Sequence, residues 1–223
     1  ADGFYMTLNV QTPKSDGTRT VLPKDSTTAA TAAESDVTSG TIYLVDANGN
    51  KVFTKEITES DWKAGKPTQG NDGSTQLKIA VEDVVAGATY KVYFLANATD
   101  EKPWENVFSS DSKFAKPYVE NSKFAMFNQN DNSVDGAKIQ YEGKESAIKI
   151  ERLTARIDEP TSNATKIKAY TKSDATDAEK KAMADAVKKV KSVEMTGYAI
   201  SNLAKKSYIM QNWTGTTLNI PSD

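Results

Sequence analysis

The side chains that most often perform chemistry in proteins are absent from this sequence or scattered along it. The 223 residues include no cysteine and no histidine, which excludes thiol catalysis, disulfides and thiolate zinc sites and removes the commonest general base. Catalysis by paired carboxylates or by Ser and Lys would need a cluster, yet Asp, Glu and Lys are spread along the chain with no pair that stands out. We therefore predict that the chain is not an enzyme and that it needs no cofactor and no metal.

One short run offers oxygen ligands at alternate positions, as a calcium loop does. It is Asp46-Ala47-Asn48-Gly49-Asn50, and it lacks the glycine at the sixth position and the distal glutamate of an EF-hand loop. Asn-Gly between two apolar runs is also a strong hairpin signal, because both residues tolerate a positive φ. The sequence favours a plain turn here over a metal site.

Arginine is rare, and its three positions differ in kind. Arg152 and Arg156 fall within a predicted strand, whereas Arg19 lies in a polar stretch. A protease cleaves exposed loops and not folded strands, so Arg19 is the arginine most accessible to proteolysis. The alternative is that Arg19 is an ordinary loop residue. For Arg152 and Arg156 we predict ion pairs or stem packing at the sheet surface.

The segment before Arg19 has the pattern of a half-buried strand. In residues 4–11, Phe4, Met6, Leu8 and Val10 share one face, and polar residues alternate with them. A period of two with large apolar side chains predicts a strand with one face in the core. The strand ends at Thr12-Pro13.

Residues 14–40 are rich in Ser, Thr and Ala and contain few apolar side chains. This composition predicts a flexible surface loop that is open to proteolysis. A strand that is joined to its domain by such a loop can in principle leave it.

Further strand signals follow at short intervals, which predicts a mainly β fold. They are residues 41–45, 51–57, 77–81, 88–97, 124–127, 147–158, 193–200 and 207–210. Residues 88–97 are apolar at nearly every position, as in a central strand covered on both faces. The apolar phase changes within residues 147–158, which predicts a β-bulge near Glu151-Arg152. Residues 128–136 read as a polar turn, and residues 100–122 as an irregular excursion.

One helix is predicted near residues 176–190, where Thr176 and Glu179 form a capping box before a narrow apolar stripe. Together these signals predict an antiparallel Greek-key β-sandwich of the transthyretin type, with about seven strands. We place an N-terminal domain at residues 1–158. Residues 159–223 either complete it or begin a second domain.

Charge and hydropathy limit the classes of partner and the locations that are expected for this chain. The 28 basic and 30 acidic residues give a net charge of −2, so the chain lacks the basic footprint of a nucleic-acid-binding protein. No apolar run is as long as a membrane span, and no signal peptide is visible. We expect an export signal upstream in the precursor.

Three motifs in the same order resemble the fimbrillin family, the two-domain major and minor pilins (type V) of Bacteroidia. They are FYMTLNVQTPKSDGTR at residues 4–19, KIERLTARID at residues 149–158, and VEMTGYAISNLAKKSYIMQNW at residues 193–213. The resemblance covers most of residues 4–215.

The resemblance implies a fimbrial subunit that polymerises by donor-strand exchange. An arginine-specific protease would cut after Arg19 and release residues 1–19, and the vacated groove would accept a segment of the next subunit. The implied partners are the protease, other fimbrial subunits, and host or bacterial surface ligands. The implied location is the fimbria at the outer membrane, reached through a lipoprotein precursor. The family's mature N-terminal cysteine is not among these residues, so either the sequence begins after it or this member departs from the pattern. We expect the family's second domain to be incomplete within these residues.

A second interpretation is a surface adhesin or a glycan-binding tip protein. Trp62, Trp104 and Trp213 could stack on sugar rings, although aromatic residues in a sandwich more often belong to the core.

Overall fold

The computed structural model describes residues 5–13, 32–66, 74–85, 88–109, 123–128, 132–135, 145–153, 172–191, 197, 199, 201 and 206–222. Within them the protein is mainly β, as predicted. The strands are β1 (Tyr5–Gln11), β2 (Gly40–Val45), β3 (Lys51–Ile57), β4 (Ser74–Ala80), β5 (Thr89–Ala96), β6 (Val107–Ser109), β7 (Met126–Asn128), β8 (Asn132–Asp135), β9 (Glu145–Arg152), β10 (Lys206–Tyr208), β11 (Trp213–Thr214) and β12 (Thr217–Leu218).

The main sheet is mixed and curled. Its strand order is β3-β2-β5-β7-β9-β1-β4, and β8 also pairs with β5. Each pair is antiparallel except β1 and β9, which run parallel. The prediction of an antiparallel sheet is therefore wrong for this pair, and the Greek-key sandwich is not confirmed. The turn between β2 and β3 does contain Gly49 with a φ of 83°, as the Asn-Gly signal predicted.

The principal core joins strands from the two ends of the sheet order. Side chains of β1, β4 and β9 pack in one cluster with side chains of β2 and β5. Representative members with no exposed surface are Leu8, Ile42, Val92 and Ile150. Strands β1 and β2 are not neighbours in the sheet, yet their side chains share one core. The curling of the sheet brings them together around this apolar interior.

A second apolar cluster covers the opposite face of β2 and β5. Tyr43, Tyr93 and Leu95 belong to it, together with Phe127 of β7 and Ile209 beyond β10. Strand β5 is therefore buried on both faces, which confirms the prediction from its continuous apolar run.

The phase change in β9 has a different cause from the one predicted. The pairs Met126↔Arg152, Phe127↔Glu151 and Asn128↔Ile150 continue without a register shift, so the predicted bulge is wrong over these pairs. Ile150 faces the principal core, and Leu153 packs against the second cluster. Both faces of the sheet are covered at this point, so apolar residues on either face of the chain pack against an apolar cluster.

Two α-helices and one short 3-10 helix, Ala32–Ser35, lie among the described residues. Helix α1 (Glu59–Ala64) was not predicted, whereas α2 (Asp177–Lys189) confirms the expected helix and its capping box. Each α-helix begins after a threonine whose hydroxyl accepts a hydrogen bond from the third helical residue. No described helix has the length and hydropathy that a membrane crossing requires.

The chain divides into two compact units, residues 1–155 with 204–223, and residues 156–203. The first unit contains the main sheet, the pair β6–β10 and the hairpin β11–β12. The second contains α2, none of whose residues is buried. The domain boundary near residue 158 stays a prediction.

Candidate functional site

The candidate site is β1 and the slot that holds it. Met6, Leu8 and Val10 are all 0% exposed and belong to the principal core. Phe4, the fourth residue of the predicted apolar face, lies outside the described residues. The alternation of apolar and polar residues in the sequence thus corresponds to three side chains buried in the principal core.

Strand β1 has a neighbour on each side. Its full length, Tyr5–Gln11, pairs antiparallel with β4, and its part from Thr7 to Gln11 pairs parallel with β9. It is therefore an internal strand of the sheet. Strand β4 lies at the end of the strand order and, among the described residues, pairs only with β1.

The outer face of β1 is also attached to β4. The ammonium group of Lys78 lies 4.1 Å from the ring centroid of Tyr5, in cation–π geometry. At the other end of the strand, the Ser74 hydroxyl donates to the side-chain oxygen of Asn9 at 2.8 Å. Contacts on both faces thus connect β1 with β4.

The described residues 36–38, which precede β2, are firmly held in the fold. Val37 is buried in the principal core, and the side-chain oxygen of Asn97 accepts the N–H of Thr38 at 2.9 Å. The amide nitrogen of Asn97 donates to the carbonyls of Asp36 and Phe124, both at 2.8 Å. Arg19, the predicted cleavage site, lies outside the described residues.

Arg152 lies at the end of β9, in the folded sheet, as predicted. Its guanidinium carbon is 5.8 Å from the ring centroid of Phe124. Burial lowers the pKa of Arg152, and the nearby Glu34 carboxylate partly opposes that shift. No described residue forms an ion pair or a hydrogen bond with this side chain, and its Nη1 is buried without a partner. Of the two predicted roles, an ion pair is not found among the described residues, whereas the contact with Phe124 agrees with packing of the side chain. Arg156 lies outside the described residues.

The three tryptophans differ in environment. Trp62 on α1 is 1% exposed and stacks on Phe94 with ring centroids 5.6 Å apart. Trp104 stacks on Tyr93 at 5.4 Å and meets Tyr43 edge-on, so it pins its loop to the second cluster. Trp213 in β11 is 52% exposed. Among the tryptophans, this one has the free surface that sugar stacking requires.

The Asp46 run forms a turn, as the sequence favoured. The Asp46 Oδ1 accepts the backbone N–H of Asn48 at 2.9 Å and that of Asn50 at 2.8 Å. These bonds, first that from Asn50, lower the pKa of Asp46. No group of three acidic residues suited to a metal ion occurs in the part of the chain that the structure describes.

Helix α1 and strand β8 were not predicted from the sequence. Helix α1 has a capping box made by Thr58 and Asp61, and the spacing Thr-x-x-Asp was the signal that could have located it. Strand β8, Asn132–Asp135, was predicted to be part of a turn. It has no apolar alternation, so no sequence signal identifies it.

No protein-family model matches the sequence, and no curated protein matches it. Among solved structures, the chain is similar to a fimbrial assembly protein from Parabacteroides distasonis, with a TM-score of 0.42, 13% identity, and coverage of 68% of this chain and 53% of that one. It is also similar to a candidate polysaccharide-binding protein from Bacteroides thetaiotaomicron, with a TM-score of 0.36, 14% identity, and coverage of 66% and 47%. The chain thus spans about half the length of these structures. Similarity at this level establishes neither a common fold nor a common function.

Proposed function

We propose that this protein is a structural subunit of a bacterial cell-surface fimbria that polymerises by proteolysis-triggered exchange of β1. The observation that carries the proposal is the position of β1, an internal strand with three fully buried side chains. A polar segment with one arginine follows it in the sequence. This combination provides a strand that fills the core and a connection that a protease can cut.

Burial and ladder hydrogen bonds hold β1 in place before cleavage. Each of Met6, Leu8 and Val10 contributes about 1.5–3 kcal/mol of gross stabilisation, and ordering the strand offsets part of that sum. After cleavage at Arg19 the strand is no longer covalently attached, so its dissociation gains entropy. The cut thereby converts a core strand into an exchangeable ligand.

An empty slot would expose two rows of unpaired backbone groups, one on β4 and one on β9. Sheet edges of this kind are templates for an extended segment from another chain. Because β4 has no other partner among the described residues, an empty slot would also leave β4 without a ladder. We therefore propose that β4 loosens when β1 leaves and is ordered again when an incoming segment fills the slot.

The partners in this proposal are other fimbrial subunits and an arginine-specific protease. Arg152 is protected from such a protease by its position in β9. We propose Arg19 as the cleavage site, in preference to Arg156, because Arg19 lies in the polar stretch that follows β1. The proposed location is the fimbria at the outer membrane, after export as a lipoprotein precursor. The incoming segment would come from a second domain of a neighbouring subunit.

The test is replacement of β1 by a labelled peptide of the same sequence. The purified chain is cut with an arginine-specific protease and then incubated with an excess of fluorescent peptide corresponding to residues 1–13. Native mass spectrometry and gel filtration report whether the labelled peptide replaces the unlabelled strand. We expect replacement after the cut and none before it.

Two matched controls make this result specific. The Arg19→Lys variant should resist the cut and should not take up the peptide. A peptide with Leu8→Asp should not be incorporated, since it would place a charge in the core. A clean cut after Arg19 with the original strand still bound after prolonged incubation would contradict strand exchange.

A second candidate function is that of a surface adhesin or glycan-binding tip protein, and the exposure of Trp213 favours it. Its indole N–H donates to the Gln211 Oε1 at 3.2 Å, so neighbouring polar groups fix the ring. Glycan-array binding that is lost in Trp213→Ala and kept in Gln11→Ala would support this function. Trp104→Ala is unsuitable as a test, because it would remove a ring from the second cluster.

A further inference from the structure

A pocket of about 210 Å³ lies where the end of β9 meets the C-terminal segment. Two cationic residues, Arg152 and Lys206, and four aliphatic residues contribute to its lining together with uncharged polar groups. The aliphatic residues are Leu153, Ile209, Leu218 and Ile220. All of these residues belong to the first unit.

Neither cation of the pocket forms an ion pair with a described residue. Arg152 forms no ion pair among the described residues, and its buried Nη1 has no hydrogen-bond partner. Lys206 Nζ reaches only the carbonyl oxygen of Ser222, at 3.5 Å. Glu34 influences Arg152 electrostatically, but it does not line the pocket. The pKa of Arg152 stays lowered although Glu34 opposes the shift, so burial of this cation is not fully compensated, and such a group favours the binding of an anion.

The walls of the pocket indicate what kind of anion fits. No Asp or Glu is among the described residues that line it, and its lining is mostly apolar. Leu218 is 43% exposed and Ile220 is 61% exposed, an unusual position for large aliphatic side chains next to unpaired cations. A ligand that matches both features carries a carboxylate on an apolar body.

We propose that this pocket binds the C-terminal carboxylate of a peptide whose last residue is apolar. The carboxylate lies between Arg152 and Lys206, and the last side chain contacts Leu218 and Ile220. An acidic sugar would also supply a carboxylate, but it would leave the exposed side chains of Leu218 and Ile220 without an apolar contact. The proposal is independent of strand exchange, since it requires neither cleavage nor movement of β1.

The test uses the intact, uncut chain and two small probes that differ only in charge. N-acetyl-L-leucine carries the carboxylate, and N-acetyl-L-leucinamide carries a neutral amide in its place. Each is titrated into isotopically labelled protein, and the amide resonances of residues 206–209 and 218–220 are followed by NMR. We expect the acid to bind at least about fivefold more tightly than the amide, as expected for partly exposed charge pairs.

Three variants separate the contributions. Lys206→Gln should remove most of the difference between acid and amide. Lys55→Gln, which removes the same charge from the exposed surface of β3, should leave the difference unchanged. Ile220→Ser should weaken both probes, because it removes apolar wall that both contact. Ile220 is largely exposed, so this change leaves the core intact.

Several outcomes would overturn the proposal. These are equal affinity for acid and amide, resonance shifts confined to residues outside the pocket, and equal weakening by Lys55→Gln and Lys206→Gln. Glucuronate binding as tightly as N-acetyl-L-leucine would assign the pocket to acidic carbohydrate instead of a peptide. Each result can be read without any information on polymerisation, so failure here leaves the fimbrial proposal untouched.

Discussion

At the residue scale, the side chain of Asn128 replaces a backbone partner at the centre of the sheet. Strand β5 pairs with β7 through Leu95 and Ala96, and with β8 from Thr89 to Val92. Between these two pairings, the Asn128 Oδ1 accepts the N–H of Phe94 at 2.9 Å, and its Nδ2 donates to the carbonyl of Val92 at 3.0 Å. A fully buried amide thus completes the ladder where the chain passes from β7 to β8.

We expect Asn128→Ala to lower the free energy of unfolding by about 2–5 kcal/mol, because two buried backbone groups lose their partners. Urea unfolding followed by circular dichroism measures the change. Asn48→Ala, in an exposed turn, is the matched control and should change stability by less than about 0.5 kcal/mol. If the two variants lose similar stability, Asn128 has no such role.

The Asp46 carboxylate gives the hairpin turn a pH dependence. Its pKa is lowered below 3.8 by hydrogen bonds to the ionised form, chiefly from Asn50. A lowered pKa means that ionised Asp46 stabilises the fold above the unfolded-state pKa and loses this effect as the pH falls through the folded-state value. We expect Asp46→Asn to lower the melting temperature at neutral pH, with the gap closing below pH 3.8. A gap that is independent of pH would rule out this role.

Some of these residues could be identified from the sequence and others could not. The burial of Met6, Leu8 and Val10 follows from a period of two, which is a local property of the chain. The role of Asn128 depends on a gap between two strands that pair with a third, and this gap is visible only in three dimensions. The lack of an ion pair at Arg152 among the described residues likewise depends on which residues fold next to it.

At the scale of elements, β1 is an internal strand of the sheet, hydrogen-bonded to β9 on one side and to β4 on the other. We expect Leu8→Ala in the intact chain to cost about 2–5 kcal/mol, since it leaves a cavity in the principal core. Gln11→Ala, at the exposed end of the same strand, should have little effect. Urea unfolding of both variants provides the comparison. A small loss for Leu8→Ala would show that β1 contributes little to the core and would weaken its proposed role.

Element types were easier to predict than element partners. The hairpin β2–β3 and the helix α2 depend on local signals, a turn and a capping box, and both were predicted. The parallel pairing of β1 with β9 joins segments that are far apart in sequence, and alternation within a strand does not specify its neighbour. The unexpected order of the sheet has this origin.

At the scale of the molecule, the proposed strand exchange would divide the sheet into a permanent part and an exchangeable part. Strands β2 and β5 are covered on both faces and pair with each other. Among the described residues, strand β4 pairs only with β1. Removal of β1 should therefore affect β4 far more than β2 or β5.

Hydrogen exchange measured by mass spectrometry tests this division in the whole chain. In the intact protein we expect β1, β2 and β5 to exchange slowly and to similar extents, because their amides open only in large unfolding events. After cleavage at Arg19, β1 and β4 should lose protection together, while β2 and β5 should retain most of theirs. Such a pattern requires that the remaining core stays folded long enough to accept a new strand. A uniform loss of protection would mean that the cut unfolds the molecule, and unchanged protection of β4 would mean that β1 does not leave. Arg19→Lys treated with the same protease should keep the profile of the intact protein, which separates the effect of the cut from that of the protease itself.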